Sequence, residues 1–305
     1  MTRQRRTRRA GLLAATMAGV LATAGPAWGW HGKGHRKATR LAMASLPREV
    51  PAFFRKGAGQ VIHGSEDPDL FRQPVIGEPV NSAERPDHYF DLEFLKGAEL
   101  PPTSYEALAW CEKNHIQPAK LGFVPYSVAE WTQRLTVAFA EHRAWPKNPY
   151  IQQKALVYAG LLAHYAQDLC QPLHTTIHYD GRMEKDGSSP DSGIHLKMDA
   201  VLAKLPDAAL PGIDPNTVTP LPKLFEGVVA ELKASNRLVD RIYALEKQLP
   251  EAPEPVPAKG PVLALVQERM AAAARFTARL YVTAWRNSAG AELPPWHERE
   301  GKGTE

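Results

Sequence analysis

Two histidine–aspartate pairs are the residues in this sequence best suited to chemistry. His164 and Asp168 are four positions apart, and so are His195 and Asp199. Residues four apart lie on one face of a helix, and the face that carries the first pair is otherwise apolar. Two ionisable side chains on a buried face need a proton, a charge partner or a metal ion. Each pair taken alone leaves these possibilities open.

His174 lies between the two pairs and favours the metal interpretation. It follows Pro172, which ends a helix because proline has no amide hydrogen and clashes with the preceding turn. The chain is therefore expected to turn back just before His174. A set of imidazole and carboxylate groups without thiolates is typical of catalytic rather than structural zinc. The pattern predicts a zinc centre.

Helical periodicity dominates the rest of the chain, and alternating strand patterns are almost absent. The sequence predicts an all-α fold, a single domain of packed helices with long irregular loops over residues 30–290. The predicted helices are 36–46, 128–141, 151–170, 194–205, 224–248 and 262–286. Residues 57–105 are predicted to be irregular, and a loop of that length inside a compact domain is usually functional.

Residues 1–29 are predicted to be a secretory signal peptide, and residues 291–305 a polar tail. Five arginines precede an apolar run, and Ala27-Trp28-Gly29 places small residues at the cleavage positions. The apolar run is too short for a membrane span. We therefore expect an exported protein, periplasmic or extracellular, with no stable membrane insertion after signal removal. A twin-arginine signal is the alternative to a plain basic segment.

Removal of the signal changes the charge balance. It takes away five arginines and no acid, which leaves 32 basic against 33 acidic residues and a formal charge of −1. Such a chain has no global positive field, so a polyanionic substrate must be held by local charge or by metal ions. Export also implies an oxidising compartment, where Cys111 and Cys170 could pair. Their spacing leaves that question open.

The segment before the first pair adds further candidate metal ligands and side chains that could contact a substrate. They are, in chain order, Trp30, His35, Asp69, Arg72, His88, Tyr89 and Asp91. Together with the two pairs and His174, this order and spacing resembles the three-zinc, single-strand-specific nucleases, which share a helical fold with bacterial zinc-dependent phospholipase C. The match runs from Trp30 to Asp199, and every ligand position of the family is filled in order.

The resemblance implies three zinc ions. The ligands implied for the three ions are, in turn, Asp69, His88, His164 and Asp168; the amine and carbonyl of Trp30 with His35 and Asp168; and His174, His195 and Asp199. Asp168 would bridge the first two ions. Two zinc ions about 3.5–4 Å apart can activate a shared water and clamp a phosphate oxygen for in-line attack. Asp69, Arg72 and Asp168 are the residues to which the resemblance assigns catalytic roles.

The resemblance also implies the substrate. Arg72 suits the negative charge that develops on a phosphoryl group, Tyr89 can stack on a base, and Asp91 can accept hydrogen bonds from a base edge. The implied activity is that of an endonuclease and 3′-nucleotidase that hydrolyses single-stranded RNA and DNA to 5′-phosphorylated products. We also expect the protein to be a monomer. Open alternatives are a phospholipase C with the same ions and a zinc-binding protein without activity.

Purely structural roles are open alternatives for the individual side chains, and a second cleavage position is open for the mature terminus. Arg72 could form a surface salt bridge, Tyr89 could belong to the core, and Asp91 could cap a helix. The family usually starts with Trp-Gly, whereas here His31 follows Trp30 and the Trp-Gly dipeptide lies one step earlier. Cleavage after Ala27, which would expose Trp28, therefore stays open. Residues 93–126 are predicted to be an insertion relative to the fungal nucleases.

Overall fold

The structure is a computed structural model that describes residues 32–251 and 254–299. Within these ranges the regular structure is helical, and the β contact they contain is an isolated antiparallel bridge between Phe90 and Gly122. The prediction of an all-α fold is therefore confirmed. The predicted signal peptide lies outside the described residues, as do Trp28 and Trp30.

Thirteen α-helices make up most of the described part of the chain, and the shortest lie early in it. In chain order they are α1 (Gly32–Ala44), α2 (Ala52–Lys56), α3 (Ala58–Gly64), α4 (Asp67–Phe71), α5 (Val80–Glu84), α6 (Ser104–Asn114), α7 (Pro118–Leu121), α8 (Val124–Ala144), α9 (Pro149–Asp168), α10 (Ile194–Val201), α11 (Leu224–Asn236), α12 (Val239–Leu245) and α13 (Pro261–Asn287). Two 3₁₀ turns, Arg85–His88 and Pro172–Thr175, carry histidines of the predicted site.

The structure corrects the sequence-based boundaries of several elements. Residues 57–105 are not irregular throughout, because they contain α3, α4, α5 and the start of α6. Helices α3, α4 and α5 have at most seven residues, which is too short for a helical period to show in the sequence. The predicted helix 224–248 is divided into α11 and α12. It breaks after Asn236, whose side chain donates a hydrogen bond to the carbonyl oxygen of Thr175 at 2.8 Å.

Helix α9 lies in the middle of the fold and carries His164 and Asp168. The side chain of Asn148 caps its first turn by accepting hydrogen bonds from the amides of Tyr150 and Ile151. The helix packs against α8, α3 and α13. Every residue from 159 to 168 is buried, so this end of the helix has no solvent-facing side. Its charged side chains must therefore find their partners inside the protein.

Two glycines let α3 approach α9 closely. A Cβ added at Gly160 would lie 3.0 Å from the Cα of Gly64, which is closer than ordinary carbon contacts allow. The absence of a side chain at Gly160 therefore permits the approach. Ser65 follows Gly64, so the contact between the helices carries the Ser65 carbonyl oxygen to within 2.9 Å of the His164 ring.

The apolar side chains of the described residues form one continuous core, to which α1, α8, α9 and α13 contribute. Cys111 and Cys170 are both buried and both free, so the pairing that the sequence left open is not formed. Within residues 32–251 and 254–299, no helix combines the length and the apolar character that crossing a membrane requires.

The segment 291–299, part of the predicted polar tail, contacts α8 through a buried carboxylate. The Nε2 of His297 lies 2.9 Å from Oε1 of Glu141, and Arg299 donates to the same oxygen at 3.1 and 3.2 Å. Lys154 of α9 contacts the other oxygen of Glu141. A buried carboxylate needs such compensation. These ion pairs attach the C-terminal segment to the helical core.

Candidate metal centre

Eight predicted metal ligands lie in the described part of the chain, and the structure gathers them into three buried groups. The groups are His35, Asp69 and His164; His88, His164 and Asp168; and His174, His195 and Asp199. Within each group, one possible ligand atom per residue lies within 4.8 Å of the others. Trp30, the ninth predicted ligand, lies outside the described residues.

Asp168 connects the first two groups through its two carboxylate oxygens. Its Oδ1 is 3.4 Å from Nε2 of His35, and its Oδ2 is 3.2 Å from Nε2 of His164. Asp69 approaches from α4, with Oδ1 3.9 Å from the same His164 nitrogen. A carboxylate whose oxygens face different histidines is suited to bridge two cations, which is the role the resemblance implied for Asp168.

The distances around His88 match the size of a zinc coordination shell. The Nδ1 of His88 lies 2.8 Å from Oδ2 of Asp168 and 3.1 Å from Nε2 of His164. Ligand atoms arranged tetrahedrally around zinc at 2.0–2.1 Å are about 3.3 Å from one another. In the absence of a cation, the two facing ring nitrogens must share a proton because their lone pairs repel. A metal ion removes that conflict.

Backbone carbonyls fix the outer nitrogen of two of these histidines. The Nδ1 of His164 donates to the carbonyl oxygen of Ser65 at 2.9 Å, and the Nδ1 of His174 donates to the carbonyl oxygen of His88 at 2.9 Å. A proton on Nδ1 leaves the lone pair on Nε2, which faces the group. This second hydrogen bond is typical of metal-ligating histidines.

Gln167 does the same for His35 and was missed by sequence reasoning. Its Oε1 accepts a hydrogen bond from Nδ1 of His35 at 2.8 Å, and its Nε2 donates to Oγ1 of Thr39 at 2.8 Å. The two contacts hold the Gln167 amide between His35 and Thr39. The sequence contained a signal for this residue, because Gln167 is a polar residue next to Asp168 in the mostly apolar second half of helix α9.

The third group is built around Asp199 and is oriented by Gln171. Asp199 places Oδ2 3.0 Å from Nε2 of His195 and Oδ1 3.5 Å from Nε2 of His174. Gln171 donates from Nε2 to Oδ1 of Asp199 at 2.8 Å, while its Oε1 accepts from the amide of Leu173 at 2.6 Å. Gln171 thus holds the carboxylate toward both histidines.

Several buried atoms of the three groups have no hydrogen-bond partner among the described residues. They are Nε2 of His35, both carboxylate oxygens of Asp69, Oδ1 of Asp168 and Oδ2 of Asp199. Leaving a buried carboxylate uncompensated costs several kcal/mol. All of these atoms belong to members of the three groups, where bound cations would supply the missing partners. The side chains present therefore fit a set of metal ions.

The electrostatics of the site also favour cations. Burial opposes ionisation of Asp168, but His164 and His174 hold the pKa of this carboxyl well below its usual range. Burial lowers the pKa of His164, while the charges of Asp168 and Asp69 outweigh it and raise this pKa to about 9. The same negative field attracts a divalent cation, and binding of the cation displaces the proton.

Arg72 lies at the edge of the site. Its Nη2 is 2.7 Å from Oδ1 of Asp69, although neither atom is aligned for a hydrogen bond. The side chain is largely buried, and its charge acts on His174 as well as on Asp69. Arg72 does form an ion pair, but the pair is largely buried rather than at the surface, and its partner is the candidate metal ligand Asp69.

Tyr89 directly follows His88 and lies near Tyr179, an aromatic residue that the sequence did not single out. The Tyr89 hydroxyl donates to the carbonyl oxygen of Ala119. Burial, with smaller contributions from Asp91 and Tyr179, raises the pKa of Tyr89 to about 12. Tyr179 is 39% exposed, and its ring meets the His195 ring edge to face at 5.7 Å between centroids. The Tyr179 ring therefore contacts the third group, and Tyr89 is close enough to Tyr179 for their charges to interact.

Asp91 occupies the N-cap position of the 3₁₀ turn Leu92–Leu95, yet its side chain makes no capping hydrogen bond. Its backbone amide donates to the carbonyl oxygen of Leu121 at 2.8 Å, which fixes the position of the residue. Burial raises the pKa of Asp91 well above its ordinary value, Glu93 raises it further, and His174 opposes the shift. The absence of a capping hydrogen bond argues against the interpretation of Asp91 as a helix cap.

No protein-family model matches the sequence. No curated protein matches it either. Among solved structures, the alpha toxin from Clostridium absonum is similar to this chain, with a TM-score of 0.41 and 13% sequence identity. The alignment covers 86% of this chain, and the chain spans 63% of the toxin's length. A similarity of this size establishes neither a family nor an activity.

Proposed function

We propose that this chain is a zinc-dependent phosphodiesterase that hydrolyses single-stranded RNA and DNA and 3′-nucleotides, leaving 5′-phosphorylated products. The observation that carries the proposal is the set of three buried histidine and aspartate groups beside Arg72. In this proposal the eight gathered side chains and Trp30 would hold three zinc ions. The ligand sets would be Asp69, His88, His164 and Asp168 for the first ion; Trp30, His35 and Asp168 for the second; and His174, His195 and Asp199 for the third.

The chain's own residues divide the work of the proposed reaction. Bound zinc supplies Lewis-acid activation of water and of phosphate oxygens. The hydrogen bonds on Nδ1 of His35, His164 and His174 hold the imidazoles in their metal-binding tautomer. Arg72 offers a permanently charged guanidinium beside the groups, where it can stabilise the charge that grows on the phosphoryl oxygens. Burial of the groups strengthens each of these interactions.

The surroundings of the third group support a nucleotide substrate. Tyr89 and Tyr179 provide aromatic surface, and stacking on such rings contributes about 1–3 kcal/mol per base without a sequence requirement. Asp91 has a carboxyl group free of hydrogen bonds from the described side chains. Single strands have unstacked bases that can reach such a site, whereas a duplex does not. We therefore propose that the enzyme prefers unpaired strands.

A substrate panel tests the proposal. Purified zinc-loaded protein is assayed against single-stranded RNA, single-stranded DNA, duplex DNA, 3′-AMP and phosphatidylcholine vesicles. We expect cleavage of the single strands and of 3′-AMP, loss of activity on chelation, and recovery on addition of zinc. Hydrolysis of phosphatidylcholine without cleavage of nucleotides would contradict the nuclease proposal. If none of the phosphodiesters is hydrolysed, the broader proposal of a zinc-dependent phosphodiesterase is contradicted.

Phospholipase C activity at the same groups is the second candidate, and one observation favours it. The segment that follows Asp69 exposes a run of large apolar side chains. They are Leu70 (54% exposed), Phe71 (37%), Val75 (90%), Ile76 (49%) and Val80 (47%). Clustered exposed apolar residues often mark a contact with a protein or a lipid surface. The vesicle arm of the substrate panel separates this candidate from the nuclease.

We also propose that the enzyme is an exported monomer. The basic and apolar composition of residues 1–29 supports export. Fractionation of cells that produce the full chain, followed by sedimentation of the exported protein, tests both statements. Recovery of the activity from the cytoplasm alone, or a dimer at micromolar concentration, would contradict them.

A further inference from the structure

His88 directs Nδ1 toward the site, whereas His35, His164 and His174 each use Nδ1 for an outer hydrogen bond. The Nδ1 of His88 faces Asp168 and His164, so Nδ1 is the atom available to a metal ion. A neutral imidazole that binds through Nδ1 carries its proton on Nε2. In this structure Nε2 of His88 is buried and has no hydrogen-bond partner among the described residues. A buried N–H group needs an acceptor.

The carboxylate oxygen within reach is Oε1 of Glu84, at 3.5 Å from Nε2 of His88. Glu84 is the last residue of α5 and lies four positions before His88, so the local chain geometry brings the two together. Its side chain is 14% exposed. A shift of a few tenths of an ångström would close a hydrogen bond, and among the described residues Asp168 is the one other carboxylate within 4.0 Å of a ring nitrogen of His88.

Tyr165 holds Glu84 in this position. Its hydroxyl donates to the same Oε1 at 2.5 Å, and its ring meets the His88 ring edge to face at 5.6 Å. Tyr165 directly follows His164 on α9, which ties Glu84 to the helix that carries two candidate ligands.

We propose that Glu84 is a positioning residue for the group of His88, His164 and Asp168: it accepts the Nε2 proton of His88 and so directs the Nδ1 lone pair toward the metal ion. The inference rests on the proposed metal binding but not on the identity of the substrate. A carboxylate behind a ligating histidine fixes its tautomer and raises its basicity. Tyr165 assists by keeping the carboxylate aligned.

The expected effect is on zinc affinity. Removal of such an outer partner typically weakens metal binding by about 10–100-fold. Glu84→Gln keeps the size of the side chain but exchanges a charged acceptor for a neutral amide, so one class of zinc should dissociate at about 10–100-fold higher free zinc. Tyr165→Phe leaves the carboxylate in place and should weaken the same class to a smaller extent. Glu112→Gln, the same change on the exposed surface of α6, is the matched control.

The experiment is a titration of the full-length processed protein with a zinc-buffering chelator, combined with elemental analysis and far-ultraviolet circular dichroism. The proposal is supported if Glu84→Gln selectively loses zinc while its helicity matches the wild type. The control Glu112→Gln should then retain the zinc affinity of the wild type. Equal zinc retention by Glu84→Gln and Glu112→Gln overturns it. If Glu84→Gln does not fold, Tyr165→Phe decides, because unchanged zinc affinity in that variant also overturns the proposal. Zinc affinity is read without substrate, so failure of the proposed nuclease activity leaves the test intact.

Discussion

The Nδ1 of His174 donates a hydrogen bond to the carbonyl oxygen of His88 at 2.9 Å, and this contact joins two of the three metal-ligand groups. A second hydrogen bond joins the same two segments, because the amide of Phe90 donates to the carbonyl oxygen of His174 at 2.8 Å. The segments that meet here lie far apart in the chain. Because the backbone of one group orients the imidazole of another, we expect the groups to respond together when either segment is disturbed.

Asp168→Asn should remove the metal ions that depend on a shared carboxylate. An amide offers one neutral oxygen in place of two charged ones, so it bridges two cations poorly. We expect activity on any phosphodiester substrate to fall by about 100-fold or more, in line with the loss of electrostatic stabilisation. Helicity should change little, because the two side chains have the same size. Elemental analysis, circular dichroism and initial rates measure the three quantities, and full zinc content in the variant would contradict the bridging role.

Gln171→Ala should weaken the third group selectively. The substitution removes the amide that donates to Asp199 at 2.8 Å, so the carboxylate loses its orientation toward His174 and His195. We expect about a 10-fold or larger loss of zinc affinity, typical of an outer hydrogen-bond partner. Gln133→Ala on the exposed side of α8 serves as the control. Identical zinc titrations for the two variants would show that Gln171 has no part in metal binding.

Arg72→Ala and Tyr89→Ala should affect different kinetic constants. Arg72 meets charge that grows only in the transition state, so its loss should lower kcat. Tyr89 would hold the base equally in the ground and transition states, so its loss should chiefly raise KM. Steady-state rates on single-stranded DNA separate the two effects, with Arg48→Ala and Tyr150→Ala as exposed controls. A Tyr89→Ala variant with unchanged constants would favour the phospholipase candidate.

Glu141 should contribute stability that depends on pH. Burial raises the pKa of this carboxyl, but hydrogen bonds from Lys154 and His297 outweigh it, and the native pKa lies below the ordinary 4.5. A lowered native pKa means that the contribution is complete above about 4.5 and disappears as the pH falls through the lower native value. Loss of a charged hydrogen-bonding group typically costs about 1.5–3 kcal/mol.

We therefore expect Glu141→Gln to lower the free energy of unfolding by about that amount at pH 7 and progressively less below pH 4.5. Urea unfolding between pH 3 and 7 measures the difference, and Glu112→Gln controls for the loss of an exposed charge. A destabilisation that stays constant across this range would mean that the charge of Glu141 is not what anchors residues 291–299.

Removal of the predicted signal peptide should be required for binding of the zinc ion that we propose His35 and Trp30 hold together. A backbone nitrogen binds zinc only as a free terminal amine, because a peptide nitrogen is far too weakly basic. Protein that begins at Trp30 should therefore bind one more zinc ion than uncleaved precursor and should be the active form. Terminal sequencing distinguishes Trp30 from Trp28, and full activity of a chain that begins Met-Trp30 would show that the amine is not required.

The periodic features of the sequence were sufficient to predict the long helices. Helix α9 and helix α13 depend on local backbone hydrogen bonds and on apolar residues that repeat with the helical period, and both properties can be read along the chain. The same period predicted that His164 and Asp168 share a face. The short helices between residues 52 and 84 could not be found in this way, because segments of five to seven residues contain too few turns to show a period.

The orientation of the site depends on contacts that only the tertiary structure contains. Ser65 reaches His164 because α3 and α9 meet at Gly64 and Gly160, and Glu84 lies behind His88 because Tyr165 holds it there. The chain alone indicates which residue types can bind a metal ion. It does not indicate which ring nitrogen faces inward, because that choice is made by acceptors brought close when helices distant in sequence pack together.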